Sequence, residues 1–329
     1  MRHCIAILAI LLFAGCATTT KVQPAATAAD TPSPNVEVHF DELWDYNNPA
    51  QTEERFQSLL ADYPATTAPL MRAELLTQIA RTHSLRGAFE AAHRHLDNAR
   101  TLLTDGNSTA RIRLHLERGR TYNSAGDKAQ AHTQFLRSFR LACSLKSDFY
   151  AIDAAHMLAI VSPAPAAMEW NLLALDMALQ SKMPLAQRWQ GSLLNNLGWT
   201  FFDAKEYQKA LDLFKQALAF RQQQGKAGAI RIARWCIART LRALGQYGKA
   251  LNILQQLDAE LQQAKERDGF VYEELAECHL ALGNADRARY FAAQAFRELS
   301  QMKWFVSSEA QRLQRMKTLS EAAQTENTQ

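Results

Sequence analysis

The chain has 329 residues, 47% of them hydrophobic and 9% aromatic, the composition of a globular protein long enough for one extended or two compact domains. Its 13 glycines and 9 prolines are too few for turn-rich β sandwiches and barrels. Its 37 Lys plus Arg against 33 Asp plus Glu leave a formal charge of +4, too small for a dedicated nucleic-acid binder. At the N-terminus, Arg2 and His3 precede an apolar run from Ile5 to Phe13. That run suits the centre of an export signal and is too short to span a bilayer as a helix.

The run closes on Phe13-Ala14-Gly15-Cys16, and here the sequence resembles a bacterial lipoprotein signal, in which small residues precede a lipid-modified cysteine. Phe13 stands where that signal usually has Leu. The resemblance implies a signal peptide over 1–15, cleavage before Cys16 and lipid on Cys16. Because Ala17 rather than Asp follows, it also implies an outer-membrane anchor with the rest of the chain in the periplasm. A buried N-terminal helix is the alternative, but the polar stretch that follows gives it nothing to pack against. Residues 16–38, rich in Thr, Ala and Pro, cannot bury enough apolar surface to offset ordering and read as a tether. Once Cys4 has left with the signal and Cys16 carries lipid, Cys143, Cys236 and Cys278 remain, with no short metal-binding spacing. They read as small buried hydrophobes, and a disulfide among them stays open.

Residues 39–72 read as an N-terminal cap, with Phe56, Leu59 and Leu60 on one amphipathic helix from Gln51 to Ala61 that Pro64 closes. From 73 to 302 the chain repeats itself. Leu197-Gly198, Phe201, Tyr207, Ala210, Phe214 and Ala217 form the clearest copy. Ile79-Ala80 with Gly87, Ala92 and Leu96 form another, and Gly119 with Gly126, Ala131 and Phe135 a third. Ile237-Ala238 with Gly245, Ala250 and Leu254, then Leu275-Ala276 with Gly283, Ala288 and Ala295, continue the series, with strong motifs in four of six units and weaker ones in two. The small residues Ala80, Gly119, Gly198, Ala238 and Ala276 are 39, 79, 40 and 38 apart. The gap of 79 is two periods, so Leu158-Ala159 opens a sixth repeat, irregular over 151–190 because Pro163 and Pro165 disturb its turn. Residues 303–329 read as a capping helix, with Val306, Leu313, Met316 and Leu319 on one stripe, and a frayed tail.

On these residues the segment 73–302 resembles the tetratricopeptide-repeat proteins, although its period of 39–40 exceeds the family's usual 34. The resemblance implies an all-α, right-handed superhelical solenoid of helix-turn-helix repeats. In that fold the first helix of each repeat lines a concave groove that takes an extended or helical peptide. The small residue lets the second helix cross closely, and the apolar residues three and four apart form the buried stripes.

No phosphate loop, zinc-protease helix, nucleophile elbow or paired-cysteine motif is present in the sequence, and no cofactor or metal is implied. His93 and His95 diverge by about 200° on a helix and read as solvated surface, as do Glu273, Glu274 and Glu277. The residues after the small ones should face the groove: Arg81, Arg120, Trp199, Arg239 and Glu277. Asn195 and Trp235 lie a turn before that place, and Phe202 and Arg242 just after it. Arginine offers a bidentate fork to carboxylates, and the rings offer apolar anchors. Arg81, Arg120, Asn195, Trp199, Phe202, Trp235, Arg239 and Arg242 are therefore the candidate peptide-binding residues, with the arginines expected to be exposed. Solvated arginines and core tryptophans are the plain alternative. The family's carboxylate clamp is matched in type only by Asn195 and is not carried over.

The leading expectation is a non-catalytic, lipid-anchored scaffold whose groove binds a protein or peptide, an acidic one in particular, with no nucleic-acid partner. An envelope assembly component acting as a homo-oligomer and a wall-acting hydrolase are the alternatives.

Overall fold

The computed structural model describes residues 40–104 and 106–322. The expected signal over 1–15, Cys16 and the tether lie outside the described residues. The described chain is all-α and is built of tandem helix-turn-helix repeats. It divides after Trp189 into two compact units, each a short solenoid.

The N-terminal unit opens with a 3₁₀ turn, Phe40–Leu43, and the capping helix α1, Pro49–Leu59, whose first turn is closed by Asn48 Oδ1 accepting from the Gln51 N–H at 3.2 Å. Three antiparallel pairs follow. These are α2 (Pro69–Leu85) with α3 (Phe89–Thr101), α4 (Thr109–Ser124) with α5 (Lys128–Ser144), and α6 (Asp148–Val161) with α7 (Ala164–Gln180). The short α8, Pro184–Gln187, ends the unit. Ser108 and Asp127 cap α4 and α5 through their side-chain oxygens.

The C-terminal unit pairs α9 (Gln190–Asp203) with α10 (Tyr207–Gln224), α11 (Ala227–Ala243) with α12 (Tyr247–Gln263), and α13 (Gly269–Ala281) with α14 (Ala285–Leu299). It closes with α15 (Lys303–Ser308) and α16 (Ala310–Glu321). The break at Glu309 separates Val306, exposed on α15, from Met316, fully buried on α16. The expected single stripe is therefore split between two helices.

The small residues do what their spacing predicts. Gly119 on α4 faces Phe135 on α5, and Gly198 on α9 faces Phe214 on α10, so closely that a Cβ on either glycine would meet the ring at 2.5 Å. On α10, Ala210, Phe214 and Ala217 are fully buried at helical spacing. Seven residues after Gly119 the turn is made by Gly126 at φ 91°, and seven after Gly198 by Lys205 at φ 61°. The α6–α7 turn is different. Ser162 and Pro163 are extended there, Ser162 because a residue before proline is driven out of the α region.

Candidate binding surface

In each unit the first helices of the pairs lie side by side, and the charged residues between them decide what that inner face can bind. In the N-terminal unit these helices are α2, α4 and α6. Arg81 on α2 donates through Nη1 to both oxygens of Glu117 on α4, at 3.2 and 3.3 Å. Arg120, one turn beyond Glu117, donates to it at 2.6 Å and to the Asp153 carboxylate on α6 at 2.5 and 2.7 Å. A second ladder runs parallel to this one. Arg113 on α4 meets Glu74 on α2 at 2.9 Å, donates to Tyr150 Oη on α6 at 2.7 Å, and holds Asp41 of the 3₁₀ turn through both guanidinium ends. Burial alone would lower the Arg120 pKa, but the Asp153 and Glu117 carboxylates reverse it, and the net direction is up. His156, on the same helix as Asp153, is pushed down to about 4 by burial, against Asp153 and with help from Arg120.

The C-terminal unit repeats the scheme with aromatic rings. Arg239 on α11 donates to Glu274 on α13 at 2.5 Å, and Arg242 reaches the same carboxylate through Nε at 2.5 Å. Glu274 is wholly buried. Burial would raise its pKa, but the two guanidinium groups win and hold it low. The Arg239 guanidinium carbon lies 6.0, 5.8 and 5.6 Å from the ring centroids of Trp199, Phe202 and Trp235, within the range of cation–π attraction. Trp235 donates its Nε1–H to the Phe270 carbonyl at 3.1 Å, and Asn195 accepts from the Cys236 thiol at 3.5 Å. Arg312 on α16 grips Glu273 at 2.9 and 2.5 Å.

The structure thus gathers Asn195, Trp199, Phe202, Trp235, Arg239 and Arg242, but Asn195, Trp199 and Trp235 are buried among the helices rather than open as anchors, and Arg81 and Arg120 come together on Glu117 in the N-terminal unit. The expectation that the arginines stand exposed is corrected. Arg81 is 7% exposed, the Arg120 and Arg239 side chains 15% and 14%, and each is matched by a carboxylate on a neighbouring first helix. Glu273 and Glu274 are corrected likewise, from solvated surface to buried partners. Those partners were signalled in the sequence. Glu117 and Glu274 each stand two residues before the small residue of their repeat, and 36 and 35 residues after Arg81 and Arg239.

His93 and His95 are half-buried rather than solvated, with His95 stacked on His83 at 5.0 Å and His93 against Tyr122 at 4.6 Å. Cys143, Cys236 and Cys278 are free thiols. Cys236 and Cys278 are buried, whereas Cys143 is exposed and departs from the expected hydrophobe. Among the described residues no group of three or more His, Cys, Asp or Glu could hold a metal ion. No described helix is long and apolar enough to cross a membrane.

A tetratricopeptide-repeat family model matches residues 191–223, covering α9 and most of α10. The fold is tetratricopeptide-like. Solved structures agree with this on shape. A signal-transduction ATPase with numerous domains from Pyrococcus horikoshii, which carries a tetratricopeptide-repeat sensor, matches 84% of this chain over 43% of its own, at 16% identity and a TM-score of 0.65. The apo form of RapI matches over 84% of both chains at 12% identity and a TM-score of 0.60. The APC/C hetero-tetramer Cut9–Hcn1 matches 84% of this chain over 48% of its own, at 15% identity and a TM-score of 0.59. This chain spans less than half of the ATPase and Cut9–Hcn1 chains it matches. No curated protein matches the chain.

Proposed function

We propose that the protein is a non-catalytic scaffold, anchored through lipid on Cys16 in the outer membrane and facing the periplasm, whose inner face in the C-terminal unit holds a segment of a partner protein. The observation that carries this reading is the cluster of Trp199, Phe202 and Trp235 around Arg239, with the charge of Arg239 already matched by Glu274. Trp199 and Trp235 are buried and hold Arg239 and Phe202 in place, so the ring a partner segment meets is the part-exposed Phe202. An acidic side chain adds a contact at the part-exposed Arg242 guanidinium, whose side chain is 27% accessible.

The test is site-specific photo-crosslinking in a bacterial envelope. A crosslinker at Phe202 should trap one defined envelope protein, while the same group at the exposed Lys215 on α10 should trap nothing. Identical adducts from both positions, or none from either, would sink the inner-face reading. The anchor is tested separately: Cys16→Ser should move the protein out of the membrane fraction and abolish incorporation of labelled palmitate.

A further inference from the structure

The N-terminal unit already carries a peptide across its inner face, and that peptide is the chain's own segment from Phe40 to Tyr46, Phe-Asp-Glu-Leu-Trp-Asp-Tyr. Its grip on the repeats is made by side chains. Asp41 pairs with Arg113 on α4, with Nη1 donating to Oδ1 at 3.1 Å. The Trp44 Nε1–H donates to Gln78 Oε1 on α2 at 2.9 Å. Trp44 and Tyr46 stack on each other at 4.8 Å, and the Arg81 guanidinium carbon lies 5.6 and 5.3 Å from their centroids. Phe40 plugs edge-on between Phe56 and Tyr63. Gln78, Arg81 and Arg113 all belong to first helices, so the segment lies against the first-helix face of its unit. The parallel extends to the chemistry, since Arg239 is ringed by tryptophans of its own repeats while Arg81 receives its rings from residues 44 and 46. Phe40 anchors the segment in the core, whereas Asp41 and Glu42 are exposed and Trp44 and Tyr46 only half-buried, so the part that meets α2 and α4 lies at the surface.

We infer that the inner face of the N-terminal unit is a second protein-binding surface, specific for an acidic–aromatic segment of the pattern Asp-x-x-Trp-x-Tyr, and that residues 40–46 occupy it in cis until a partner segment of that chemistry displaces them. A tethered segment competes at the high effective concentration of an intramolecular ligand, so the apparent affinity for a partner is reduced by the fraction of the time the face is closed. This surface is distinct from that of the C-terminal unit and stands or falls independently of it.

The probe is a fluorescein-labelled peptide of residues 38–48, titrated by anisotropy into the whole chain and into its Trp44→Ala and Asp41→Asn variants, which loosen the cis segment. The released variants should bind the peptide at least tenfold more tightly than the unaltered chain. Replacing Trp or Asp within the peptide, which cannot unfold the protein, should cost at least tenfold. Equal binding to all chains, or no binding to a variant with unaltered helical signal and melting, would make the segment a structural cap and overturn the proposal. Hydrogen exchange on the unaltered chain decides the case in which the variants do not fold. Amides of residues 41–47 should exchange by local opening, well ahead of those in α2 and α4, whereas exchange only with those helices overturns the proposal.

Discussion

Gly198 leaves room for one ring and nothing more: a methyl group in its place would stand 2.5 Å from Cε1 of Phe214, which is wholly buried on the facing helix. Gly119 holds the same relationship to Phe135. Alanine would ordinarily favour a helix over glycine by about 1 kcal/mol, but here the ring must move inside a packed pair, and overpacking costs about 1–3 kcal/mol. Gly198→Ala and Gly119→Ala should therefore lower the denaturant midpoint, and leucine at either place should lower it further. Gly248 has nothing within 4 Å of the added carbon, so Gly248→Ala should leave stability unchanged or raise it. A stabilising Gly198→Ala would contradict the close crossing.

Lys205 holds φ 61° in the α9–α10 turn, where the corresponding turns after α2, α4, α11 and α13 use Gly87, Gly126, Gly245 and Gly283. A side chain in the left-handed region costs about 1–2 kcal/mol relative to glycine. Lys205→Gly should accordingly raise the melting temperature, and Gly126→Ala, at φ 91°, should lower it. The pair of measurements must move in opposite directions, and a shift of the same sign in both would be incompatible with this turn geometry.

Charge reversal at the inner face should damage the stack itself. Arg120 faces Glu117 and Asp153, and Arg239 faces the fully buried Glu274, so Arg120→Glu or Arg239→Glu opposes like charges in a site with little water. Glu274→Gln leaves two guanidinium groups without their counter-charge, and breaking a buried pair from one side costs about 3–5 kcal/mol. At roughly 2–4 °C per kcal/mol for units of this size, thermal melting should fall by about 6 °C or more. A wild-type melting curve for Glu274→Gln would show that the ladder carries no stability.

His156 supplies a pH dependence whose sign follows from its native pKa of about 4, below the unfolded value of about 6.5. The unfolded chain binds the proton first, so this group's contribution is complete above pH 6.5 and is lost as pH falls toward 4. The full span is worth about 3 kcal/mol, with about 2 kcal/mol of it gone by pH 5. Urea unfolding at pH 7 and pH 5 should show that loss, and His156→Phe should flatten it. The same slope in both proteins would assign the acid sensitivity elsewhere. Glu274, held low by Arg239 and Arg242, loses its contribution only at more acid pH, as its own native pKa is passed.

What the sequence determined by itself is the repeat. The meeting of Gly198 with Phe214, the buried stripe Ala210-Phe214-Ala217 and the irregular turn at Pro163 all follow from helix periodicity and backbone sterics, which act over a few residues and are written in local spacing. The inner-face positions were legible for the same reason, and Trp199, Phe202, Trp235, Arg239 and Arg242 do come together. Only the tertiary structure decided what those positions do. Whether Arg81 meets solvent or Glu117, 36 residues away, depends on how far one first helix is rotated against the next; the repeat spacing marks Glu117 as a candidate partner, but only the packed helices bring the two charges together. Burial then sets the chemistry, because a guanidinium removed from water must find a carboxylate, and the stack supplies Glu117, Asp153 and Glu274 before any partner arrives. The return of Asp41, Trp44 and Tyr46 onto α2 and α4 is of the same kind, a long-range contact fixed by where the segment before α1 meets the finished surface.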